Sequence, residues 1–260
     1  RLIVIDRDPD AVAVASERLS GLPAQVVRGN YSEIKQIADD LGICGADGIL
    51  LDLGVSSYQL DNSERGFSYH NDAPLDMRMS KEGTSARDIV NEYSKEQLTK
   101  ILYEYGEEKF APRIAETIIK RRSEKPVETT TELADIVRDS IPAKFRRDKN
   151  PCKKTFQAIR IEVNNEIEPL YNTVKNSINA LNSKGRLCVI TFHSLEDRMV
   201  KKAYVDAEGK CTCPKDLPYC VCGNVSLGKI INKKPILPTE KEMQENSRSR
   251  SAKLRVFEKI

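Results

Sequence analysis

An apolar run that ends in a carboxylate and then breaks into small residues constrains the fold more than any other stretch. Ile49, Leu50 and Leu51 precede Asp52, and residues 54–57 read Gly-Val-Ser-Ser. The run is too short for a helix and is flanked by glycines, which favours a central strand of a parallel sheet, covered on both faces. Ligands of open α/β sheets bind beyond the carboxyl ends of such strands, so Asp52 is a candidate site residue. An aspartate that caps the following turn is the alternative interpretation.

The same pattern of strand, polar turn and helix opens the sequence. Residues 2–5 form an apolar strand that ends at Asp6, and Asp8 and Pro9 suit the cap and first position of a helix. An acid at the end of a strand in a nucleotide-binding sheet can accept hydrogen bonds from ribose hydroxyls. A solvated acidic turn is the alternative for Asp6.

A further strand, residues 25–28, is followed by a helical pattern over residues 34–41. Tyr31 lies between them and is either a contact for an adenine ring or an ordinary core tyrosine. The alternation of strands and helices predicts an α/β protein with a right-handed parallel sheet of the Rossmann type. No glycine-rich turn precedes Asp6, so nucleotide binding is inferred from half a site.

Residues 85–161 show helical patterns alone, and their apolar stripes predict core positions. Thr129 to Glu132 form a capping box, and Pro169 is expected to bend or restart the last helix. We therefore predict a sheet domain formed by residues 1–84 and 162–260, with a helical insertion at residues 85–161. A length of 260 residues suits one α/β domain with a large insertion.

Another apolar strand, residues 187–190, ends in a polar turn that contains His193 and Ser194. A lone histidine is usually structural, but this one follows a strand end where a ligand crevice is expected, so the two interpretations have equal weight. Residues 254–258 predict a last strand at the edge of the sheet.

Charge is nearly balanced, with 42 Lys and Arg against 39 Asp and Glu, so any RNA contact must come from local clusters. One such cluster lies in the insertion and comprises Lys144, Arg146, Arg147, Lys149, Lys153 and Lys154. These side chains are candidates for phosphate contacts, and a solvated basic loop is equally compatible with the pattern.

The seven cysteines and the lack of a run of about 18 apolar residues indicate a reducing cytoplasm, with neither export nor a membrane span. Two C-x-C pairs, at Cys211 and Cys213 and at Cys220 and Cys222, offer four thiolates for zinc. The spacing is tighter than the usual C-x-x-C, and an ordinary exposed loop is favoured over a metal site.

Several long motifs occur in one order along the chain. They are IDRDPDA at Asp6, GILLDLGVSSYQLD at Asp52, ERGFSYHNDAPLDMRM from Glu64, YGEEKFAPRIA from Tyr105, KTFQAIRIEVN from Lys154, VITFHSLEDRMVK from Val189 and RSRSAKLRV from Arg248. Together they resemble the bacterial RsmH (MraW) family over essentially the whole chain.

The resemblance implies an S-adenosylmethionine-dependent methyltransferase that modifies N4 of a cytidine in the decoding region of small-subunit ribosomal RNA, free or in the 30S particle. It implies a class I methyltransferase sheet whose helical insertion recognises substrate. By motif position, it implies that the cofactor contacts are Asp6, Tyr31, Asp52 and Gln59. Asp52, His193 and Ser194 are the candidates nearest the reacting amine, and no general base is assigned. Oligomeric state is left open, and a homodimer is compatible with the sequence.

The largest departure from the family is at the amino end, where its first strand and its glycine loop are absent. We expect that these 260 residues alone fold poorly and lack activity until such a segment is restored. Two rival functions share part of the pattern, a Rossmann oxidoreductase and a catalytically inactive RNA-binding fragment. Titration with S-adenosylhomocysteine and with NAD would separate the three.

Overall fold

The computed structural model describes residues 1–145, 150–209, 213, 219 and 222–260, and it has a mixed α/β fold. The chain divides into two compact units. The first comprises residues 1–7, 11–54 and 167–260, and the second comprises residues 8–10 and 55–166. The second unit thus covers more of the chain than residues 85–161; the division into a catalytic domain and a substrate-recognition insertion stays a prediction.

The first unit contains the strands. They are β1 (Leu2–Asp6), β2 (Ala24–Arg28), β3 (Ala46–Asp52), β4 (Leu181–Thr191), β5 (Gly228–Ile230) and β6 (Lys253–Lys259). Its helices are α1 (Pro9–Arg18), whose first two residues belong to the second unit, α2 (Ile34–Asp40), α9 (Leu170–Asn179), α10 (Ser194–Glu208) and α11 (Glu240–Glu245). The second unit contains α3 (Ser57–Asp61), α4 (Ala86–Glu92), α5 (Lys95–Glu104), α6 (Ala111–Glu124), α7 (Thr130–Ser140) and α8 (Lys153–Asn164).

Among the described strands, two pairs are parallel. β1 pairs with β2, and β3 pairs with β4 in a four-stranded sheet of order β3-β4-β6-β5. β6 is antiparallel to β4 and to β5. The prediction of a parallel sheet of the Rossmann type is therefore wrong for β5 and β6. The predicted edge position of residues 254–258 is also wrong, because β5, a short strand with no apolar run, occupies that edge.

Leu50 corrects the interpretation of β3 as a strand covered on both faces. Leu51 is 7% exposed and belongs to the core of the first unit, whereas Leu50 is 64% exposed. Successive side chains of a strand point to opposite faces, so only one face of β3 is buried at this point. Among the described residues β3 pairs with β4 alone.

Helix signals in the sequence are confirmed in several places. Thr129 caps α7 through a capping box with Glu132, as predicted. Pro169 restarts the helix, since α8 ends at Asn164 and α9 begins at Leu170. The apolar stripes of α5 and α6 are buried in the core of the second unit, which includes Leu98, Leu102, Ile114 and Ile118.

A loop in the second unit joins two of the sequence motifs. The Asn164 side chain at the end of α8 accepts a hydrogen bond from Met79 N (2.9 Å) and donates one to Met77 O (2.8 Å). Met77 N donates to Arg65 O (3.0 Å), and Met77 is fully buried. The motif of α8 thus fixes the conformation of the loop that carries the ERGF and PLDMRM residues. In the part of the chain that the structure describes, no helix is both long and apolar enough to cross a membrane.

Candidate active site

The carboxyl ends of β3 and β4 lie at the same edge of the sheet because the two strands are parallel. Asp52 is paired in register with Ile190, and Leu53 N donates to Ile190 O (3.1 Å). Gly54 then turns the chain with φ of +91°, beside the ring of Phe192. The structure therefore brings Asp52 close to the turn that contains His193 and Ser194, as the strand pattern predicts.

Asp52 is exposed to solvent, yet its environment favours the protonated carboxyl more than water does. Partial desolvation and then the negative charge of Glu196 raise the pKa of Asp52 above its ordinary value of 3.8. An aspartate with a raised pKa is a stronger proton acceptor once it is ionised. This is the electrostatic feature that distinguishes Asp52 from an ordinary turn cap.

Glu196 organises the turn after β4 and was not singled out in the sequence. Its side chain is 2% exposed and accepts hydrogen bonds from Phe192 N (2.8 Å) and His193 N (3.3 Å). In return His193 Nδ1 accepts from Glu196 N (3.5 Å), so the two residues form a capping box at the start of α10. The pattern of a polar residue followed three positions later by Glu is the sequence signal that would have found it.

His193 is held in this cap. Its Nε2 atom lies 3.1 Å from Glu196 Oε1, so both ring nitrogens are close to the same glutamate. Ser194, the first residue of α10, is exposed. The structure gives His193 a clear structural role and leaves Asp52 as the more accessible acid of this strand-end group.

Asp197 connects the same turn to the last strand. Arg255 on β6 donates from Nε to Asp197 Oδ1 (2.6 Å), and Lys253 Nζ lies 3.4 Å from Asp197 Oδ2. Desolvation alone would raise the pKa of Asp197. The hydrogen bond and charge of Arg255, and then those of Lys253, outweigh desolvation and lower this pKa. The FHSLED and RSAKLRV motifs are therefore parts of one structural unit that supports the strand ends.

Asp6 and Tyr31 lie at the carboxyl ends of the other sheet. Gly29 N, just after β2, donates to Asp6 O (3.0 Å). Tyr31 begins a short 3-10 helix that Asn30 caps, and it packs half-buried against the core of the first unit. The core interpretation of Tyr31 thus accounts for part of its surface, and its role toward a nucleotide stays a prediction.

Gln59 lies in the second unit and is buried, at 5% exposure. Its Nε2 donates to Asp8 Oδ2 (2.7 Å), and its Oε1 accepts from Ser56 N (3.0 Å). Arg65 Nη1 also donates to Asp8 Oδ2 (2.9 Å). Gln59 is therefore held in place by a buried polar network that no local sequence pattern predicts.

The remaining predicted sites are only partly described. Lys144, Lys153 and Lys154 are exposed, whereas Arg146, Arg147 and Lys149 lie outside the described residues. Cys213 and Cys222 are half-buried, whereas Cys211 and Cys220 lie outside the described residues. The zinc hypothesis and the phosphate contacts stay predictions.

Comparison with known proteins identifies the family to which the chain belongs. The model of the MraW methylase family matches residues 1–260. A protein of Lachnospira eligens named ribosomal RNA small subunit methyltransferase H is 53% identical over 264 residues, which cover 100% of this chain and 84% of that protein. A protein of Clostridium botulinum strain Kyoto with the same name is 54% identical over 262 residues, which cover 100% and 85%. One of Brevibacillus brevis, also so named, is 52% identical.

Proposed function

Because the chain belongs to the MraW methylase family, we propose that it transfers a methyl group from S-adenosylmethionine to N4 of a cytidine in the decoding region of small-subunit ribosomal RNA. The relatives are named as ribosomal RNA small subunit methyltransferases, which supports the substrate class. The substrate is the RNA itself or the 30S particle, and the reaction belongs in the cytoplasm, where such particles are assembled. The observation that carries the proposal is the exposed carboxylate of Asp52, which has a raised pKa. It lies at the carboxyl end of a parallel strand, beside the Glu196 turn.

The residues at the strand ends fit the chemistry of this cofactor. S-adenosylmethionine carries positive charge and ribose hydroxyls. A carboxylate attracts the positive charge and accepts hydrogen bonds from the hydroxyls. Asp52 is exposed and Asp6 ends β1, so each strand end offers an acid. We propose that the cofactor is held by Asp6, Tyr31, Asp52 and Gln59.

In the proposed reaction the main task of the protein is to align the two reactants. When bound, S-adenosylmethionine supplies a methyl group that its sulfonium charge has already activated. The amine of cytosine is the weaker partner, because its lone pair is delocalised into the ring. A carboxylate that accepts one of its hydrogens helps to localise that pair during attack.

Asp52 is the proposed acceptor of that hydrogen. Its raised pKa gives it greater basicity than an ordinary aspartate. His193 is less suited, since its Nδ1 accepts from Glu196 N and its buried Nε2 lies 3.1 Å from Glu196 Oε1. We propose that His193 and Ser194 position the turn, and that Glu196 fixes it from the buried side.

The test combines ligand binding with product analysis. The purified full-length protein is titrated calorimetrically with S-adenosylhomocysteine and with NAD, and tritiated methyl transfer is measured on small-subunit RNA and on 30S particles that lack the modification. Digestion of the RNA to nucleosides then identifies the product. We expect binding of S-adenosylhomocysteine alone and formation of N4-methylcytidine.

A matched pair of variants locates the site. Asp52→Ala removes the acid at the carboxyl end of β3, whereas Asp47→Ala removes an exposed acid near the amino end of the same strand. Loss of a hydrogen bond to a charged group should cost about 1.5–3 kcal/mol of ligand affinity in Asp52→Ala alone. Equal affinities in the two variants, or selective binding of NAD, would contradict the proposal.

A further inference from the structure

Phe145 presents an aromatic ring to solvent on a basic part of the second unit. The residue is 53% exposed, although phenylalanine is among the residues most often buried. Its ring centroid lies 5.3 Å from that of Phe110, at an interplanar angle of 52°. The amino group of Lys144 lies 4.9 Å from the centre of the Phe145 ring. The ring is thus supported by one aromatic neighbour and one cation while half of the residue stays open.

The other end of the basic stretch contacts the same segment as Phe145. Lys154 Nζ donates to Glu107 O (2.7 Å). Gly106 allows this approach, because a Cβ atom there would lie 2.8 Å from Lys154 O. Since Phe110 belongs to the same short segment, residues 106–110 bring Lys154 and Phe145 to one surface. We call the group of Phe110, Lys144, Phe145, Lys153 and Lys154 the aromatic-basic patch.

The charge of the three described lysines is a second feature of the aromatic-basic patch. Within the described ranges, no carboxylate forms an ion pair with Lys144, Lys153 or Lys154. Tyr103 on α5 provides a contrast, because it is 69% exposed but no described lysine or arginine lies over its ring. Exposed aromatic surface combined with a cation over the ring distinguishes Phe145 from Tyr103.

We propose that Phe145 is a stacking platform for an unpaired base of RNA, with Lys144 and Lys154 beside the flanking phosphates. Proteins that bind single-stranded nucleic acid combine a basic surface with aromatic rings on which bases stack. A base that is methylated inside a folded RNA must leave its stack, so unpaired nucleotides are available at the enzyme. The inference rests on the proposed function for its choice of RNA as the partner.

The absence of tryptophan from the sequence allows a direct optical test. F145W places the only indole of the chain on the patch, and Y103W places it at an exposed aromatic position on α5 as the matched control. The probes are a 12-nucleotide oligocytidylate and a 12-unit abasic ribose phosphate of equal charge. We expect oligocytidylate to quench the emission of F145W and to leave that of Y103W unchanged, and the abasic probe to quench neither.

Affinity measurements complete the test. We expect F145A and F145L to bind oligocytidylate about tenfold more weakly than the unmodified chain, with Y103A within about twofold of it. Affinity for the abasic probe should be equal in all of them. The inference is overturned if F145L binds oligocytidylate normally, if both probes lose affinity equally, or if F145W shows no quenching at saturation. F145L keeps the apolar bulk. If the unfolding temperature of F145A differs from that of the unmodified chain, F145L alone decides the result.

Failure of this inference is distinguishable from failure of the proposed function. S-adenosylhomocysteine binding and methyl transfer test the function in the same preparations. Normal cofactor binding without a Phe145 effect removes the stacking site alone. A Phe145 effect without cofactor binding or methyl transfer removes the proposed enzymatic function and leaves an RNA-binding surface.

Discussion

Arg65 and Asp8 form a buried ion pair in the second unit, with Arg65 Nη1 2.9 Å from Asp8 Oδ2 and side chains only 7% and 2% exposed. The guanidinium also donates from Nη2 to the carbonyl oxygens of Arg78 and Met79, both at 2.9 Å. One side chain therefore links the Asp8 turn to the PLDMRM loop. The same carboxylate receives the amide of Gln59, so the pair also determines where this proposed cofactor contact lies.

We expect Arg65→Ala to lower the free energy of unfolding by about 3–5 kcal/mol, because it removes the guanidinium from a buried carboxylate. Lys35→Ala is the control, since Lys35 and Asp39 form an exposed pair with side chains 70% and 58% exposed. That pair should contribute no more than about 1 kcal/mol. Urea denaturation at neutral pH measures both variants, and losses of similar size would show that burial of the Arg65 pair has no energetic consequence.

Both the backbone conformation at position 66 and the lack of room for a side chain there require glycine. Its φ is +68°, and a Cβ atom would lie 2.3 Å from Pro74 O and 2.7 Å from Asp76 N. We expect Gly66→Ala to destabilise the protein by about 2–5 kcal/mol, combining left-handed strain with steric overlap. Gly83 has a φ of +81° with no atom within 4 Å of the added Cβ, so Gly83→Ala should cost only about 1–2 kcal/mol. Thermal or urea unfolding that ranks the two variants in the opposite order contradicts this account.

The Asp197–Arg255 pair should make stability depend on pH in the acid range. The pKa of Asp197 is lowered in the folded protein from 3.8, because Arg255 and Lys253 outweigh the effect of burial. Its contribution is therefore fully present above about pH 4 and is lost as pH falls through the lower, folded pKa. Arg255→Met should lower the free energy of unfolding at neutral pH by about 1.5–3 kcal/mol and flatten its decrease below pH 4. Urea unfolding in a pH series measures this, and an unchanged acid slope in the variant excludes the pair as its source.

Local patterns in the sequence predicted the elements that local interactions determine. The apolar runs that end at Asp6 and Asp52 form strands, and the stripe of α5 around Leu98 and Leu102 is buried core. Each of these signals depends on residues within about two turns or one strand. The polar residues at the strand ends follow from the same local pattern once the strands are parallel.

Long-range pairing explains what the sequence did not predict. Arg65 and Asp8 are 57 residues apart, and Gln59 and Asp8 are 51 apart, so no periodicity connects them. The interior position of β6 depends on pairing with β5, whose three residues carry no strand pattern. The exposure of Leu50 likewise depends on which elements pack against β3, which an apolar run does not specify.

The lysines of the aromatic-basic patch should contribute through charge alone. A Lys153→Gln and Lys154→Gln double variant should bind oligocytidylate more weakly and reduce the dependence of log affinity on log salt by about 0.7 for each lysine that contacts a phosphate. Lys241→Gln is the control, since Lys241 is exposed on α11 and lies 3.8 Å from Glu245. Fluorescence anisotropy at several salt concentrations gives the slopes. Identical slopes in the double variant and the control would return these lysines to the status of a solvated surface.

Glu196 should control the pH at which methyl transfer is lost. Desolvation and then the charge of Glu196 raise the pKa of Asp52, so its carboxylate is protonated at a higher pH than an ordinary aspartate. If ionised Asp52 accepts hydrogen from the amine, kcat/KM decreases as pH falls through that raised pKa. Glu196→Gln removes the negative charge and retains a side-chain oxygen. In the unmodified protein Phe192 N donates to Glu196 Oε2 at 2.8 Å, and the oxygen of the glutamine can accept the same hydrogen bond. The acid limb of the pH profile should therefore move to lower pH in this variant, because one of the two causes of the shift is gone. Asp206→Asn, an exposed change on the same helix where Tyr171 donates to Asp206 at 2.7 Å, should leave the limb in place. A uniform loss of rate in Glu196→Gln, with the limb unmoved, would show that Glu196 supports the turn without tuning Asp52.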